Sequence, residues 1–180
     1  MSLKNLWSLN IDETLVADRL KTEFKKSDYE VFFPLNSQMK DVDLLLVRLN
    51  KYKVMSIQVK GSRTYTPRPS ETEKYGIGSA AWFTLHEQPI FEPKNRVDFY
   101  IFVLHSFGDS ELKRTIEIDY LVMPHEDLKK ITQKKVMRKG NKYHYFVWVD
   151  SKGKRAFDFN NGNGKIILLS NYLNNWDLIR

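Results

Sequence analysis

The sequence contains no cysteine, which excludes disulfide bonds and thiolate metal sites. We therefore expect a reducing, cytoplasmic environment for this chain. No apolar run approaches eighteen residues, so we expect no transmembrane helix and no membrane partner. The first residues also lack the apolar stretch of a signal peptide. The four histidines are scattered and show no spacing typical of metal ligands.

What the chain does contain suits a single folded domain. Its 180 residues are 42% hydrophobic and 13% aromatic, which is enough for a real core and argues against disorder. We expect one domain over residues 1–180, because two full domains would be a tight fit. Its motif region is expected at residues 10–63 and a basic C-terminal part at residues 125–180.

The positive charge is concentrated in one segment. The whole chain has a formal net charge of +7 and a pI of about 9.4. Residues 129–155 contain ten basic residues and a single acid, Asp150, so this segment nets +9 and the remainder −2. Such a segment is typical of a protein that binds a phosphate backbone. A solvated, lysine-rich surface would have the same composition.

Hydrophobic periodicity predicts an α/β or α+β core. Residues 10–27 are predicted to be a helix, because Val16, Leu20 and Phe24 fall on one face. Strands are predicted at residues 29–34, 41–49, 52–61, 97–105, 117–123 and 143–149, with a hairpin turn at residues 50–51. A helix is expected to open at Pro124 and run to about residue 133. These elements together favour a sheet with helices packed on it.

Three further segments are less regular. Residues 62–95 contain four prolines and two glycines, so we expect a long loop that a short strand near residues 81–85 interrupts. Residues 160–164 are expected to form a turn, because they lack the lysine and the preceding strand of a phosphate-binding loop. Residues 171–176 are expected to form a short helix that packs through Tyr172 and Trp176.

The candidate chemistry lies on the predicted strand pair at residues 41–49 and 52–61. Side chains alternate along a strand, so Gln58 and Lys60 share one face, and Asp41 and Asp43 share a face of the neighbouring strand. Carboxylate and amide oxygens, with the Val59 backbone carbonyl, suit Mg²⁺. A nearby lysine can orient water or neutralise a phosphate. A polar hairpin face with aspartates at a strand start would explain the same residues without any catalysis.

Glu13 strengthens the catalytic interpretation. At about 100° per residue it lies in the middle of the apolar face that contains Ala17, Leu20 and Phe24. A carboxylate that points at a core is unfavourable unless it is paired or binds a metal. A capping box, with Asn10 as N-cap and Glu13 three residues later, is the structural alternative.

The order of these motifs resembles the PD-(D/E)xK nuclease superfamily. The resemblance rests on a helix with a glutamate, a strand that ends at proline, an Asp-Leu-Leu strand and an Ile-Gln-Val-Lys-Gly-Ser strand. It is sharpest over residues 12–63. Gln58 resembles the Gln-x-Lys branch, which includes homing endonucleases and restriction-like proteins. Val42 stands where the family has proline, and Gln58 removes one negative charge from the metal site.

The resemblance implies a restriction-endonuclease-like core, with a mixed central β-sheet flanked by helices. It implies that Glu13, Asp43, Gln58 and Lys60 are catalytic. It also implies a Mg²⁺ or Mn²⁺ ion held by Asp43, Gln58, Glu13 and the Val59 carbonyl. The expected activity is metal-dependent hydrolysis of DNA phosphodiester bonds in restriction, repair or a mobile element.

The expected partner is nucleic acid, in particular double-stranded DNA, and a homodimer stays open. The basic residues expected to contact it are Arg63, Arg68, Lys134, Lys135, Arg138, Lys139 and Lys142. The aromatic residues of strand 143–149 can stack bases, although their alternation is also that of a strand with one side in the core.

Two other classes of function remain open at this point. The neutral Gln58 favours an inactive nucleic-acid-binding module on the same fold. A protein-interaction or immunity partner, whose basic face meets an acidic protein, is the other.

Overall fold

The computed structural model describes residues 10–25, 28–34, 41–65, 67–92, 97–110, 113–150, 152–159 and 165–180, with the backbone alone at 106–110 and 113–116. Within these residues the helices are α1 (Ile11–Glu23), α2 (Pro69–Tyr75), α3 (Glu87–Phe91) and α4 (His125–Thr132). The strands are β1 (Tyr29–Phe32), β2 (Leu44–Arg48), β3 (Lys53–Tyr65), β4 (Ser79–His86), β5 (Phe99–Ser110), β6 (Lys113–Pro124), β7 (Lys142–Asp150), β8 (Arg155–Asp158) and β9 (Ile167–Leu168). Short 3₁₀ turns cover Leu49–Lys51, Ser170–Tyr172 and Trp176–Ile179. The α+β content is confirmed.

The nine strands form one continuous sheet that β3 divides into two parts. The first sheet has the order β1-β2-β3-β5-β6, and the second has the order β4-β7-β8-β9. The last two residues of β3 join them, because Thr64 pairs with Ala81 and Tyr65 with Ala80. Each pairing between these strands is antiparallel except that of β3 with β5, which is parallel.

The elements pack in three layers. Helix α1 covers one face of the first sheet, where Val16 and Leu20 are buried with Ile57, Val59 and Ile101. The opposite face of the first sheet packs on the second sheet through a separate core cluster. There the Phe83 ring of β4 meets the Phe102 ring of β5 at 5.0 Å between centroids. Alternate residues of β5 therefore belong to two different cores, as the period of a strand requires.

The motif region folds as its pattern predicts. Helix α1 begins after Asn10, whose side chain accepts a hydrogen bond from the Asp12 backbone N–H, and it ends at Glu23 rather than residue 27. The three predicted strands correspond to β1, β2 and β3. The hairpin turn is also confirmed, and Tyr52 closes it in the left-handed conformation with φ of 49°.

The long loop expected at residues 62–95 is wrong. Strand β3 continues to Tyr65, and α2, β4 and α3 follow it. The prolines do not break these helices: Pro69 lies in the first turn of α2 and Pro89 in the first turn of α3, where a missing N–H removes no helical bond. Gly76 ends α2 with φ of 85°, which favours glycine. The short strand near residues 81–85 is confirmed as β4.

The remaining expectations have mixed outcomes. The strands at 97–105, 117–123 and 143–149 are confirmed as β5, β6 and β7, and the helix after Pro124 is α4. The C-terminal helix is replaced by two 3₁₀ turns, although Trp176 is buried against the Tyr120 ring. The turn expected at residues 160–164 lies outside the described residues. Strands β8 and β9 were not predicted. No helix within the described ranges is both long and apolar enough to cross a bilayer.

Candidate active site

The two sheets share β3, the strand that contains the Gln-Val-Lys motif, and they diverge from each other along it. Strand β3 pairs with β2 as far as Ile57 and with β4 only from Thr64 onward. Between these positions it pairs with β5. The strands β3 and β4 therefore form a wedge that narrows toward residues 64–65 and opens toward residues 58–60.

A cavity of about 250 Å³ lies in this wedge. Gln58 and Lys60 line it from β3, because they alternate with the Ile57 and Val59 side chains that face α1. Thr84 and His86 line it from β4. Gln58 is only 4% exposed, whereas Lys60 is partly exposed. The predicted sharing of one face by Gln58 and Lys60 is thus present, and it faces a cavity large enough for a small group such as a phosphate.

Asp43, the residue before β2, extends the hydrogen-bonded pairing of β2 with β3 by one residue. Its backbone N–H donates to the Ile57 carbonyl at 2.9 Å, and its carboxylate Oδ2 accepts from the Val59 backbone N–H at 2.8 Å. This places the carboxylate beside the backbone that joins Gln58 to Lys60. The Val59 carbonyl points to the same edge, since the N–H and C=O of one strand residue face the same neighbour. Asp43 consequently has a structural role whether or not it also binds a ligand.

Asp41 and Tyr100 complete the cavity wall. Both line it together with Gln58 and Lys60. Burial raises the pKa of the Tyr100 phenol, and the negative charges of Asp41 and then Asp43 raise it further. The phenol is therefore protonated at neutral pH, and it donates to the Pro89 carbonyl at 3.0 Å. Both aspartates lie near this hydroxyl, so Asp41, which is not among the catalytic residues that the resemblance implies, belongs to the site as well.

Glu13 occupies a different layer from Gln58 and Lys60. It is partly buried in the first turn of α1, the helix that packs on the opposite face of the first sheet. The structure therefore does not bring it into the cavity with the β3 side chains. Its predicted role in catalysis and in metal binding stays a prediction.

The α1 carboxylate that contacts the sheet is that of Asp12. Its Oδ1 lies 2.5 Å from Nε2 of His105 on β5. Its Oδ2 occupies the space that a side chain at position 61 would need, only 1.7 Å from where a Cβ would stand on Gly61. This contact was not predicted from the sequence, although Gly61, directly after Lys60, is the signal for it.

The basic residues differ in their access to solvent. Exposed ones are Arg63, Arg68, Lys134, Arg138 and Lys139, and Lys142 is partly exposed. Lys135 is the exception: its side chain is 1% exposed and forms an ion pair with the fully buried Asp158. Its Nζ also lies 4.6 Å from the centroid of the Tyr145 ring. The expected contact of Lys135 with nucleic acid is therefore wrong for this structure, because the ammonium faces the interior.

A hard cation would find a mixed set of oxygen donors at the wedge. Among the described residues, no three acidic or histidine side chains form a group that could hold a metal ion. The donors near Val59 are instead the carboxylates of Asp41 and Asp43, the Gln58 amide and a backbone carbonyl. Such a set is compatible with Mg²⁺, which accepts one or two carboxylates and keeps several waters.

Comparison with known proteins gives no family assignment. No family model, no curated protein and no solved structure matches this chain. A function must therefore be inferred from the cavity and from the side chains around it.

Proposed function

We propose that this protein is a magnesium-dependent endonuclease of the PD-(D/E)xK type that hydrolyses DNA phosphodiester bonds in the wedge between β3 and β4. The observation that carries the proposal is the position of Asp43. Its carboxylate is held at the Val59 N–H, between the two cavity-lining side chains Gln58 and Lys60. Carboxylate, amide oxygen and ammonium on adjacent positions are the groups that this chemistry requires.

The residues in and beside the cavity have distinct parts in the proposal. Asp43, the Val59 carbonyl and Gln58 would hold Mg²⁺, with Asp41 as a further carboxylate. The ion would supply positive charge that activates water and stabilises the phosphate. Lys60 would neutralise the negative charge that develops on the phosphate in the transition state, or orient the attacking water. The Tyr100 hydroxyl, kept protonated by its raised pKa, donates its one proton to the Pro89 carbonyl and so helps to fix the cavity wall.

The arrangement of elements also supports a restriction-endonuclease-like core. A long motif strand, β3, has an antiparallel neighbour on one side and a parallel neighbour, β5, on the other. Helix α1 precedes these strands and packs across them. The second sheet would then be an addition to that core, which forms the far wall of the cavity.

The decisive experiment measures DNA cleavage by the purified protein with and without Mg²⁺ or Mn²⁺. We expect metal-dependent cleavage that Lys60→Ala reduces by about 100-fold or more. Lys53→Ala is the matched control, because Lys53 lies on the same strand but is exposed at its far end. Intact DNA under every metal condition, or equal activity in Lys60→Ala, would count against the proposal.

A second candidate is a binding module without catalysis on the same fold. It is favoured by the neutral Gln58 and by the hydrogen bond that already gives Asp43 a structural role. Asp43→Asn tests it, because an amide oxygen can still accept from the Val59 N–H. If Asp43→Asn still binds DNA as the wild type does, and calorimetry of the wild-type protein detects no Mg²⁺ binding, the binding module is the correct function.

A further inference from the structure

An aromatic surface covers the outer face of the second sheet. On this face β4 presents Trp82, and β7 presents His144, Phe146 and Trp148; the alternate residues of both strands, such as Phe83 and Tyr145, face the core between the sheets. Strand 143–149 thus has one side in the core, as its alternation predicts. Its even-numbered residues lie on the other side.

One half of this face is covered and the other half is open. The Tyr75 ring of α2 packs on Trp148, Phe157 and Phe159 with centroid distances of 5.3 to 5.4 Å. Farther along the strands, Trp82 remains 52% exposed, and His144 and Phe146 are partly exposed. We call Trp82, His144 and Phe146 the open aromatic face.

The rings of the open aromatic face are nearly parallel and held in place. Trp82 is inclined by 8° to Phe146 and by 19° to His144, with centroids 5.9 and 5.4 Å apart. The indole N–H of Trp82 donates to Nδ1 of His144 at 2.9 Å. Burial and then the charges of Arg138 and Lys142 lower the pKa of His144, so the imidazole is neutral and can accept this bond. A fixed ring loses little conformational entropy when a planar ligand stacks on it.

The surroundings of the open aromatic face are basic. Lys142 lies two residues before His144 on the same side of β7, and its backbone pairs with that of Arg138. Lys139 is exposed beside them. No acidic residue occupies the outer positions of β4 or β7 from Trp82 to His86 and from Lys142 to Phe146. Exposed rings among cations suit a ligand with planar bases and a negative backbone.

We infer that the open aromatic face binds the unpaired bases of a single-stranded stretch of nucleic acid, with Trp82 as the principal stacking residue. Thr84 and His86 follow Trp82 on the same face of β4, and both also line the cavity. Trp82 and His86 are four residues apart, which corresponds to about 13 Å along a strand. A bound strand can therefore pass from Trp82 to the cavity mouth within a few nucleotides. The path of the bound strand from Trp82 to the cavity rests on the proposed function, whereas base stacking on Trp82 does not.

The test measures binding of a fluorescent oligothymidine by anisotropy in EDTA, so that no cleavage occurs. We expect Trp82→Ala to weaken binding by about 5- to 150-fold, the range for loss of one base–aromatic stack, and Trp82→Phe to retain most of the affinity. Tyr52→Ala is the matched control, since Tyr52 is 92% exposed on the distant β2–β3 hairpin. An oligonucleotide of the same length without bases should bind the wild-type protein more weakly than oligothymidine.

Three results would overturn the inference. They are equal binding by wild type and Trp82→Ala, equal binding of the abasic strand, or no binding of oligothymidine. Self-association of the wild type that Trp82→Ala removes, without any effect on oligothymidine, would instead show that a second copy covers this face. Lys60→Ala separates the two proposals, because it should reduce cleavage by about 100-fold or more, whereas Trp82→Ala should weaken oligothymidine binding by the same factor in the Lys60→Ala background as in the wild type. Binding without cleavage in the wild type would reject the nuclease alone.

Discussion

At the scale of single residues, Gly61 connects the motif strand to helix α1. The Asp12 carboxylate fills the space above Gly61 and reaches His105 at 2.5 Å. The backbone of Gly61 is extended, as in any strand. Glycine is therefore required here because there is no room for a side chain, and not because of the backbone conformation. The motif Gln-Val-Lys-Gly thus ends in glycine because the Asp12 carboxylate of α1 occupies the space that a side chain at position 61 would fill.

We predict that Gly61→Ala destabilises the protein by about 1–3 kcal/mol, because the new methyl group displaces Asp12 from His105. Urea unfolding measures the change in free energy. The same substitution in an Asp12→Ala background should cost clearly less, since the clashing carboxylate is gone. An unchanged cost in that background would mean that Asp12 is not what Gly61 accommodates.

At the scale of secondary-structure elements, periodicity predicted the region from α1 to β3 well. There each element has one face in a core, so the apolar spacing is regular. It failed over residues 62–95, because Pro69 and Pro89 are read as breakers wherever they occur, although the first turn of a helix accepts them. The wedge itself could not be predicted, since it depends on where β2 leaves β3 and where β4 joins it.

The same limit applies to the candidate site. The shared face of Gln58 and Lys60 follows from strand alternation and was predictable. The position of Glu13 relative to the sheet was not predictable. A helical wheel shows which side of α1 is buried, but it does not show on which face of the sheet α1 lies. Asp12 and His105 are 93 residues apart in sequence, and no local pattern links them.

A buried ion pair fixes the segment after α4 to β8. Lys135 and Asp158 have side chains that are 1% and 0% exposed, and a second Asp158 oxygen accepts from the Phe146 N–H at 3.3 Å. Burial lowers the pKa of Lys135, while the charge of Asp158 and the hydrogen bond to it act in the opposite direction. Removing one partner would leave the other as a buried charge without its counter-ion.

We predict that Lys135→Met destabilises the protein by about 3–5 kcal/mol and that Lys135→Met with Asp158→Leu recovers most of this loss. Lys134→Met is the matched control, because the neighbouring Lys134 is exposed and should change stability little. Chemical denaturation of the four proteins provides the comparison. Similar losses in Lys134→Met and Lys135→Met would show that Lys135 is not in the interior.

At the scale of the whole molecule, the positive charge is placed where a nucleic acid would meet both candidate surfaces. The chain has a net charge of +7, and residues 129–155 account for more than this excess. Lys142 pairs across the strands with His86, which lines the cavity, and it precedes the residues of the open aromatic face on β7. Lys142 and its neighbours Arg138 and Lys139 therefore lie near both the stacking surface and the proposed catalytic cavity.

This placement predicts how the affinity for DNA changes with salt. Each phosphate contact contributes a slope of about −0.9 to log K against log salt concentration for a duplex and about −0.7 for a single strand. We expect the joint replacement of Arg138, Lys139 and Lys142 by alanine to make the slope shallower by about 2–3. Lys21→Ala should leave it unchanged, because Lys21 is exposed on α1, behind the first sheet. If the Lys21 variant altered the slope as much per charge as the triple variant, the attraction would come from net charge alone. A change confined to the triple variant would locate the phosphate backbone at the cavity mouth.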